Sequence, residues 1–376
     1  MDLKNCDISD SVIRAGLKPP KNITIMITNR CNLSCHHCLP ESHLHRTKPM
    51  ISAKEIKRLI REFVHIGAQE ICLTGGEPLI HPDWFEILSF ACKQPGLNSV
   101  RLQTNATLLT EVDVDSLCSL NYKGLVVQVS LEGASAETNG IVRGSASFDQ
   151  ILRGLRLLTN AGLGQQVVVA FTEMAHNFSE IPNLMKLLDE LGVGRFVTGT
   201  LVMGGRAMDS NQLLLPTPSQ YCKLLNLYQS DLQFRLLYKK MGNIAALEWY
   251  EGKSYSDEKQ CGCVEKPYIN SDGEMYPCIM LPIKKYSIQN VFSRPLKEVI
   301  LDGVPLWAEL PDLKYKRSTK LEKCKLCPGK KHCAGGCMGR AYTSAGDFMA
   351  VEDRCELRKI IYSWSTSNEH LSDRNN

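Results

Sequence analysis

Three cysteines stand together in Cys31-Asn-Leu-Ser-Cys35-His-His-Cys38, a C-x3-C-x2-C arrangement directly after a short apolar run. Thiols this close share one metal centre, or pair in a disulfide that leaves one over. A structural zinc site takes four ligands, and so does a four-iron cubane, one for each iron. Three cysteines leave one iron of a cubane open, the arrangement needed where a metal binds a substrate. A zinc knuckle completed by His36 or His37 uses the same residues, because a Cys/His tract signals a metal without naming it.

Eight further cysteines lie in the last third of the chain: Cys261, Cys263 and Cys278, then Cys324-x2-Cys327-x5-Cys333-x3-Cys337, then Cys355. They are enough for two four-thiolate sites, iron–sulfur or zinc. Cys6, Cys72, Cys92, Cys118 and Cys222 fit no ligand pattern and read as core, where free cysteine is common. Asp2, Lys4, Asp7 and Asp10 interrupt any signal peptide, and no segment has the length of a membrane span. The expected setting is cytoplasmic and away from the membrane, where cysteines serve as metal ligands rather than disulfides.

The elements that position these residues follow from periodicity. Residues 22–28 are β-branched and apolar, a buried strand that delivers the chain to the cysteine loop. Ser52-Ala-Lys-Glu55 is a capping box. It opens a helix with Ile56, Leu59, Ile60, Phe63 and Val64 at helical spacing, and Gly67 closes it. Further strands are expected at 70–74, 99–104, 125–131, 167–171 and 196–202, with helices at 81–94, from Ser147 onward and at 181–191. Strand and helix alternate about every 30 residues, which argues for parallel βαβ units. Six units are too few for a closed eight-fold barrel, so the fold class is α/β, an open partial (β/α)6 barrel. In parallel α/β folds the chemistry gathers at the carboxyl ends of strands. The cysteine loop, Gly75-Gly76-Glu77-Pro78, Asn105, Glu132 and Gly204-Gly205 all follow strand ends, so they converge on one rim.

Residues 22–205 resemble the core of the radical S-adenosylmethionine (SAM) enzymes. The likeness rests on the cysteine triplet, the GGEP run at 75–78, a TNxT-like stretch at Thr104–Thr107 and an S-L-x-G turn at Ser130–Gly133. It implies that Cys31, Cys35 and Cys38 hold a [4Fe-4S] cluster whose open iron takes the amino and carboxylate groups of SAM. It also implies that Gly75, Gly76, Glu77, Pro78, Asn105, Ser130 and Arg143 bind SAM. Glu77 would accept from the amino group, while Ser130 and Arg143 contact the carboxylate or ribose. Glycines allow close backbone approach to a ligand, and a guanidinium suits a carboxylate bidentately. Two residues depart from the family pattern: Ala106 stands where Gly is frequent and Glu132 where Asp is frequent. His37 occupies the place of an aromatic near the adenine, or is a plain loop residue.

The second cysteine field resembles the SPASM extension of these enzymes, a smaller C-terminal domain with two auxiliary four-iron clusters. By that match one cluster takes Cys261, Cys263, Cys278 and Cys337, and the other takes Cys324, Cys327, Cys333 and Cys355. The tight Cys261-x-Cys263 spacing leaves open whether Cys261 ligates or leaves an iron free. A hairpin is expected from 268–270 into 274–276. The resulting division is an N-terminal extension at 1–20, the barrel at 21–206, a helical connection at 207–258, the cluster domain at 259–365 and a flexible tail at 366–376. The formal charge of +4 falls to about −1 if eleven thiolates hold three cubane cores of about +2 each, so it is no argument for nucleic-acid binding. Lys314, Lys316, Arg317, Lys320, Lys325, Lys330 and Lys331 read as a solvated surface or a dock for an acidic electron donor such as flavodoxin or ferredoxin.

The implied activity is an oxidation or cross-link begun by a 5′-deoxyadenosyl radical, on a ribosomal peptide or protein. Ile279 replaces the Asp that follows the matching cysteine in anaerobic sulfatase maturases, which argues against that activity. The short N-terminal extension has no room for a leader-peptide domain, so a peptide substrate calls for a separate adaptor or direct recognition. The alternative is a tetrapyrrole or another small molecule, since Gly339-Arg-Ala-Tyr…Gly346-Asp resembles enzymes of alternative haem synthesis. A non-catalytic Fe–S carrier is the remaining class.

Overall fold

Six strands follow one another along the chain: β1 (Asn22–Met26), β2 (Glu70–Thr74), β3 (Ser99–Thr104), β4 (Leu125–Ser130), β5 (Val167–Glu173) and β6 (Arg195–Thr200). The structure is a computed structural model that describes residues 8–45, 50–251 and 261–372, with side chains through residue 364. Each of these strands pairs in parallel with the next. The array is open, because β1 and β6 are not neighbours in the strand order. Ile71, Leu73, Val100, Leu102, Val127, Val129 and Val169 pack with the helices in one core. The alternate residues Thr74, Gln103, Gln128, Ser130, Thr172 and Thr198 line the concave side. A period of two thus separates a greasy back from a polar lumen.

The helices form where apolar spacing and caps demand. Ala53–His65 starts at Ser52, whose side chain accepts from the Glu55 amide while Glu55 reaches back to the Ser52 amide. Its Ile56, Leu59, Ile60 and Phe63 are buried. Ser135 caps Ala136–Arg143, a short helix not anticipated from periodicity, and this helix places Arg143 in its last turn.

Both edges of the sheet are extended by the second half of the chain. After helices Pro218–Ser230 and Leu232–Met241, the strand β7 (Gly242–Asn243) adds in parallel to β6. The expected hairpin is present as β8 (Tyr268–Ile269) and β9 (Met275–Tyr276), antiparallel to each other. Gly273 turns it with φ +80°, a conformation that needs no Cβ. β8 also pairs in parallel with β1, matching Thr24 to Tyr268 and Ile25 to Ile269. The cysteine-rich segment is therefore hydrogen-bonded onto the barrel at the strand that feeds the cysteine loop.

Several expectations are corrected. β1 ends at Met26 and β6 at Thr200, two residues earlier than periodicity suggests, because the chain turns into loops that line the rim. The connection at 207–258 contains β7 as well as helices, and its residues 252–258 lie outside the described residues, as do 259 and 260 of the cluster domain. The helix Cys355–Ser372 carries the backbone through most of the segment expected to be a loose tail. Cys118 is exposed rather than core, while Cys72, Cys92 and Cys222 are half-buried. Cys6 lies outside the described residues.

Candidate active site

The cysteine loop is held from below by the GGEP segment. Gly76 N donates to the Thr28 carbonyl at 2.8 Å and Glu77 N to the Arg30 carbonyl at 2.8 Å, which continues the β1–β2 ladder past the strand ends. A Cβ on Gly75 would sit 2.6 Å from the Thr28 oxygen, and one on Gly76 would sit 2.4 Å from the Arg30 oxygen. The two glycines are thus required first by the close approach of this backbone to the cysteine loop. Cys31 and Cys35 are buried and Cys38 half-buried. Burial pushes the Cys31 thiol up to about 12, and it also raises Cys35, against the pull of Arg143.

Glu77 is fully buried at 0 % exposure. Its carboxylate accepts from Thr104 Oγ1 at 2.6 Å, Asn105 N at 2.7 Å and Leu79 N at 3.2 Å. Burial raises its pKa against those three bonds. Pro78 is buried beside it at the start of a 3-10 turn. Neither residue reaches the cavity; Gly75, Gly76, Thr104 and Asn105 form that wall. Glu77 therefore faces Thr104 and the Asn105 backbone, which it fixes in place. The Asn105 side chain in turn donates to Asn32 Oδ1 at 3.0 Å and accepts from Thr107 N at 2.9 Å. Ala106 adopts φ +59°, the left-handed conformation that glycine takes without strain.

The opposite wall is an ion-pair cluster. Arg143 Nη2 donates to Glu132 Oε1 at 2.8 Å, and Nη1 lies 3.6 Å from Cys35 Sγ. Glu132 also accepts from the Thr172 amide at 2.5 Å and faces His37 Nε2 at 3.3 Å. Burial alone would raise the Glu132 pKa, but Arg143 and His37 hold it down at about 2. Cys35 and Glu132 hold Arg143 above its ordinary value despite burial. Glu132, which stands where Asp is frequent, is the hub that orients both Arg143 and His37. Its place at the end of β4, opposite an arginine on the next helix, was the available signal.

These residues enclose a cavity of about 690 Å³. Cys31, Cys35, Cys38, Gly75, Gly76, Asn105, Ser130 and Arg143 all border it. The sheet brings together every candidate from the first half of the chain except the underlying Glu77 and Pro78. Tyr268, Asn270, Asp272, Tyr276 and Ile279 of the hairpin region close the far side. The volume suits a nucleoside-sized ligand with room for a substrate. Among the described residues no three His, Cys, Asp or Glu side chains are grouped as a single metal ion requires. A larger group with an attached ligand fits on other grounds. Three thiols face one cavity, and its wall holds two buried nitrogens without a partner, Arg143 Nε and His37 Nδ1.

The second field forms two sets. Cys261 and Cys263 have their sulfurs 3.1 Å apart. Cys263 hydrogen-bonds Cys278, and Cys337 feels the charge of Cys278 and Cys261. Cys324, Cys327, Cys333 and Cys355 line a separate cavity of about 300 Å³. Lys314 and Arg317, read from sequence as surface, are buried. Lys314 Nζ donates to the Ala334 and Gly336 carbonyls at 2.7 and 3.1 Å, and Arg317 donates to Gly335 O at 2.6 Å and Ala350 O at 2.8 Å. Their charges order the glycine turn between the two sets. Arg340 pairs with Asp353 at 2.7 Å and donates to the Thr200 carbonyl at 3.1 Å, tying this segment to the end of β6.

The family model for the radical SAM superfamily matches residues 25–188. The AdoMet-dependent heme synthase of Methanosarcina barkeri is 31% identical over 356 residues, which span 90% of this chain and 97% of that protein. The mycofactocin maturase MftC of Mycobacterium tuberculosis is 27% identical over 329 residues, 87% of this chain and 80% of its own. In fold, the chain is similar to native anSMEcpe with bound AdoMet and Cp18Cys peptide. That likeness has a TM-score of 0.73 at 19% identity, over 95% of this chain and 99% of the other.

Proposed function

This chain belongs to the radical SAM superfamily and carries a SPASM-type C-terminal extension, and from that premise we propose that it removes hydrogen from a C–H group of a ribosomal peptide or protein side chain. It is an enzyme that uses SAM and a four-iron cluster. When bound, these supply a 5′-deoxyadenosyl radical by reductive cleavage of SAM, and that radical takes the substrate hydrogen. Cys31, Cys35 and Cys38 would hold the cluster. Ser130 and Arg143 would take the SAM carboxylate or ribose, with Glu132 fixing the direction of the guanidinium. Gly75, Gly76 and Asn105 would receive the amino group, with Glu77 holding Asn105 from behind. The barrel lumen and the hairpin residues line opposite sides of the space for the reacting groups.

The two C-terminal thiolate sets would hold one cubane each and accept the electron that the substrate gives up, so that the net reaction is an oxidation or a cross-link. A flavodoxin- or ferredoxin-type protein would exchange electrons at the exposed lysines beside the second set, and a separate adaptor would present the peptide. We place the enzyme in the cytoplasm, where these thiols stay reduced. No described helix is long and apolar enough to cross a membrane.

One observation carries the peptide reading. Among the described residues the cavity wall offers two strong cations, Arg143 and Arg206. Arg143 is committed to Glu132, and Arg206 donates to the Cys35 and Ser42 carbonyls at 2.8 and 2.9 Å. A tetrapyrrole with several carboxylates needs more uncommitted positive charge than this, whereas a peptide backbone does not. The relation to the M. barkeri heme synthase over nearly its full length favours the tetrapyrrole as a second reading. Mass spectrometry separates the two. Reduced enzyme with SAM is given either a short peptide encoded beside its gene or a carboxylated porphyrin. Loss of hydrogen from the peptide supports the first reading, and turnover of the porphyrin alone overturns it.

A further inference from the structure

The cavity of Cys324, Cys327, Cys333 and Cys355 holds a charged group that the assignments above leave without a role. Arg358 Nη1 donates to Cys333 Sγ at 3.2 Å. The same guanidinium lies 4.7 Å over the Trp249 ring, and its Nε is 3.3 Å from Glu352 Oε1. Glu352 is nearly fully buried and is anchored on its other oxygen by Arg354 at 3.0 Å and by the Cys337 amide at 2.8 Å. An aromatic face, a carboxylate and a thiol thus fix one guanidinium from three sides.

The two thiolate sets are not treated alike. A cation touches a sulfur of the second set, at Cys333. A carboxylate touches the backbone of the first set, at Cys337. Lys314 and Arg317 both hold the turn at 334–336 that lies between the two sets. Glu352 also borders the second cavity, so among the described residues the difference is the donation of Arg358 to a sulfur of the second set. Reduction of an iron–sulfur cluster adds one negative charge, and hydrogen bonds to its sulfurs with nearby positive charge stabilise that state.

We propose that Arg358 raises the reduction potential of a cluster on the second set above that of a cluster on the first, so that an electron taken from the substrate comes to rest beside Arg358. This rests on the two-cluster reading above. The electron passes from the first set to the second and leaves to an acceptor of the flavodoxin or ferredoxin class, while the guanidinium keeps its proton throughout. Lys323, Lys330 and Lys359 also border this cavity and give such an acidic acceptor its approach.

The test is a redox titration of anaerobically reconstituted protein followed by electron paramagnetic resonance. Cys327→Ala identifies the second cluster as the signal that disappears together with about four irons. If no irons are lost, the two-cluster reading fails, whatever Arg358 does. With that signal identified, Arg358→Gln should lower its midpoint by about tenfold in the one-electron equilibrium, about 59 mV. Arg358→Lys, which keeps a charge without the planar fork, should fall between the two. An unchanged midpoint in Arg358→Gln at full iron content overturns the proposal. So does loss of four irons in both variants, which would make Arg358 an assembly residue.

Discussion

Replacing Glu132 by Gln keeps the shape of the side chain and removes its charge, leaving Arg143 buried without its counter-ion. The cost follows from the structure. The carboxyl is held at about 2 against an ordinary 4.5, a difference of about 3 kcal/mol at 1.36 kcal/mol per pH unit. Breaking a buried pair from one side gives the same scale, about 3–5 kcal/mol. For 376 residues at about 2.1 cal/mol/K each, 3 kcal/mol lowers Tm by about 4 °C. The sign with pH is fixed by the depressed value. This stabilisation is fully present above pH 4.5 and fades as pH falls toward 2, so the gap between wild type and variant narrows on acidification. Differential scanning fluorimetry at pH 7 and at decreasing pH reads both effects. Equal melting temperatures at pH 7, or a gap that widens in acid, would refute Glu132 as the ionised hub of this wall.

Other expectations are as direct. Reconstituted wild type should hold about twelve irons by colorimetric assay and Cys35→Ala about eight; a protein loaded only with zinc would remove the cluster assignment. Gly76→Ala drives a methyl group into the Arg30 carbonyl and toward Cys31, and the displaced cysteine loop should lose about four irons. Retention of all irons would show that the loop has more room than this backbone allows. Arg340→Leu removes a buried guanidinium, strands the half-buried Asp353 and frees the end of β6, for a loss of about 3 kcal/mol seen as a Tm lower by about 4 °C. A Tm within one degree would remove this arginine from the barrel junction.

Much of the rim was legible in the sequence because its signals are local. The strands at 70–74 and 99–104 stand where β-branched alternation put them, and the capping box at Ser52 opens its helix. What escaped depends on partners distant in sequence. Lys314 and Arg317 look like surface in a basic stretch, yet they are buried because the carbonyls of the turn at 334–336 satisfy them. Glu132 reads as a conservative replacement until Arg143 and His37 are brought against it. Glu77 carries a motif glutamate, but its hydrogen bonds turn it toward Thr104 and Asn105 and away from the cavity. The two-residue strand β7 has no periodicity to detect, and only the edge of β6 makes it a strand. The pairing of β8 with β1 likewise comes from tertiary docking, although the hairpin itself was readable from Gly273 and its flanks.

The central claim is that Cys31, Cys35 and Cys38 create the reactive centre facing the cavity. Its most direct test is the yield of 5′-deoxyadenosine when the anaerobically reconstituted enzyme is reduced with dithionite and given SAM. Wild type should form the nucleoside, and Cys38→Ala, with both C-terminal thiolate sets intact, should form none. Equal yields from the two proteins, or no nucleoside from fully loaded wild type, would contradict the account.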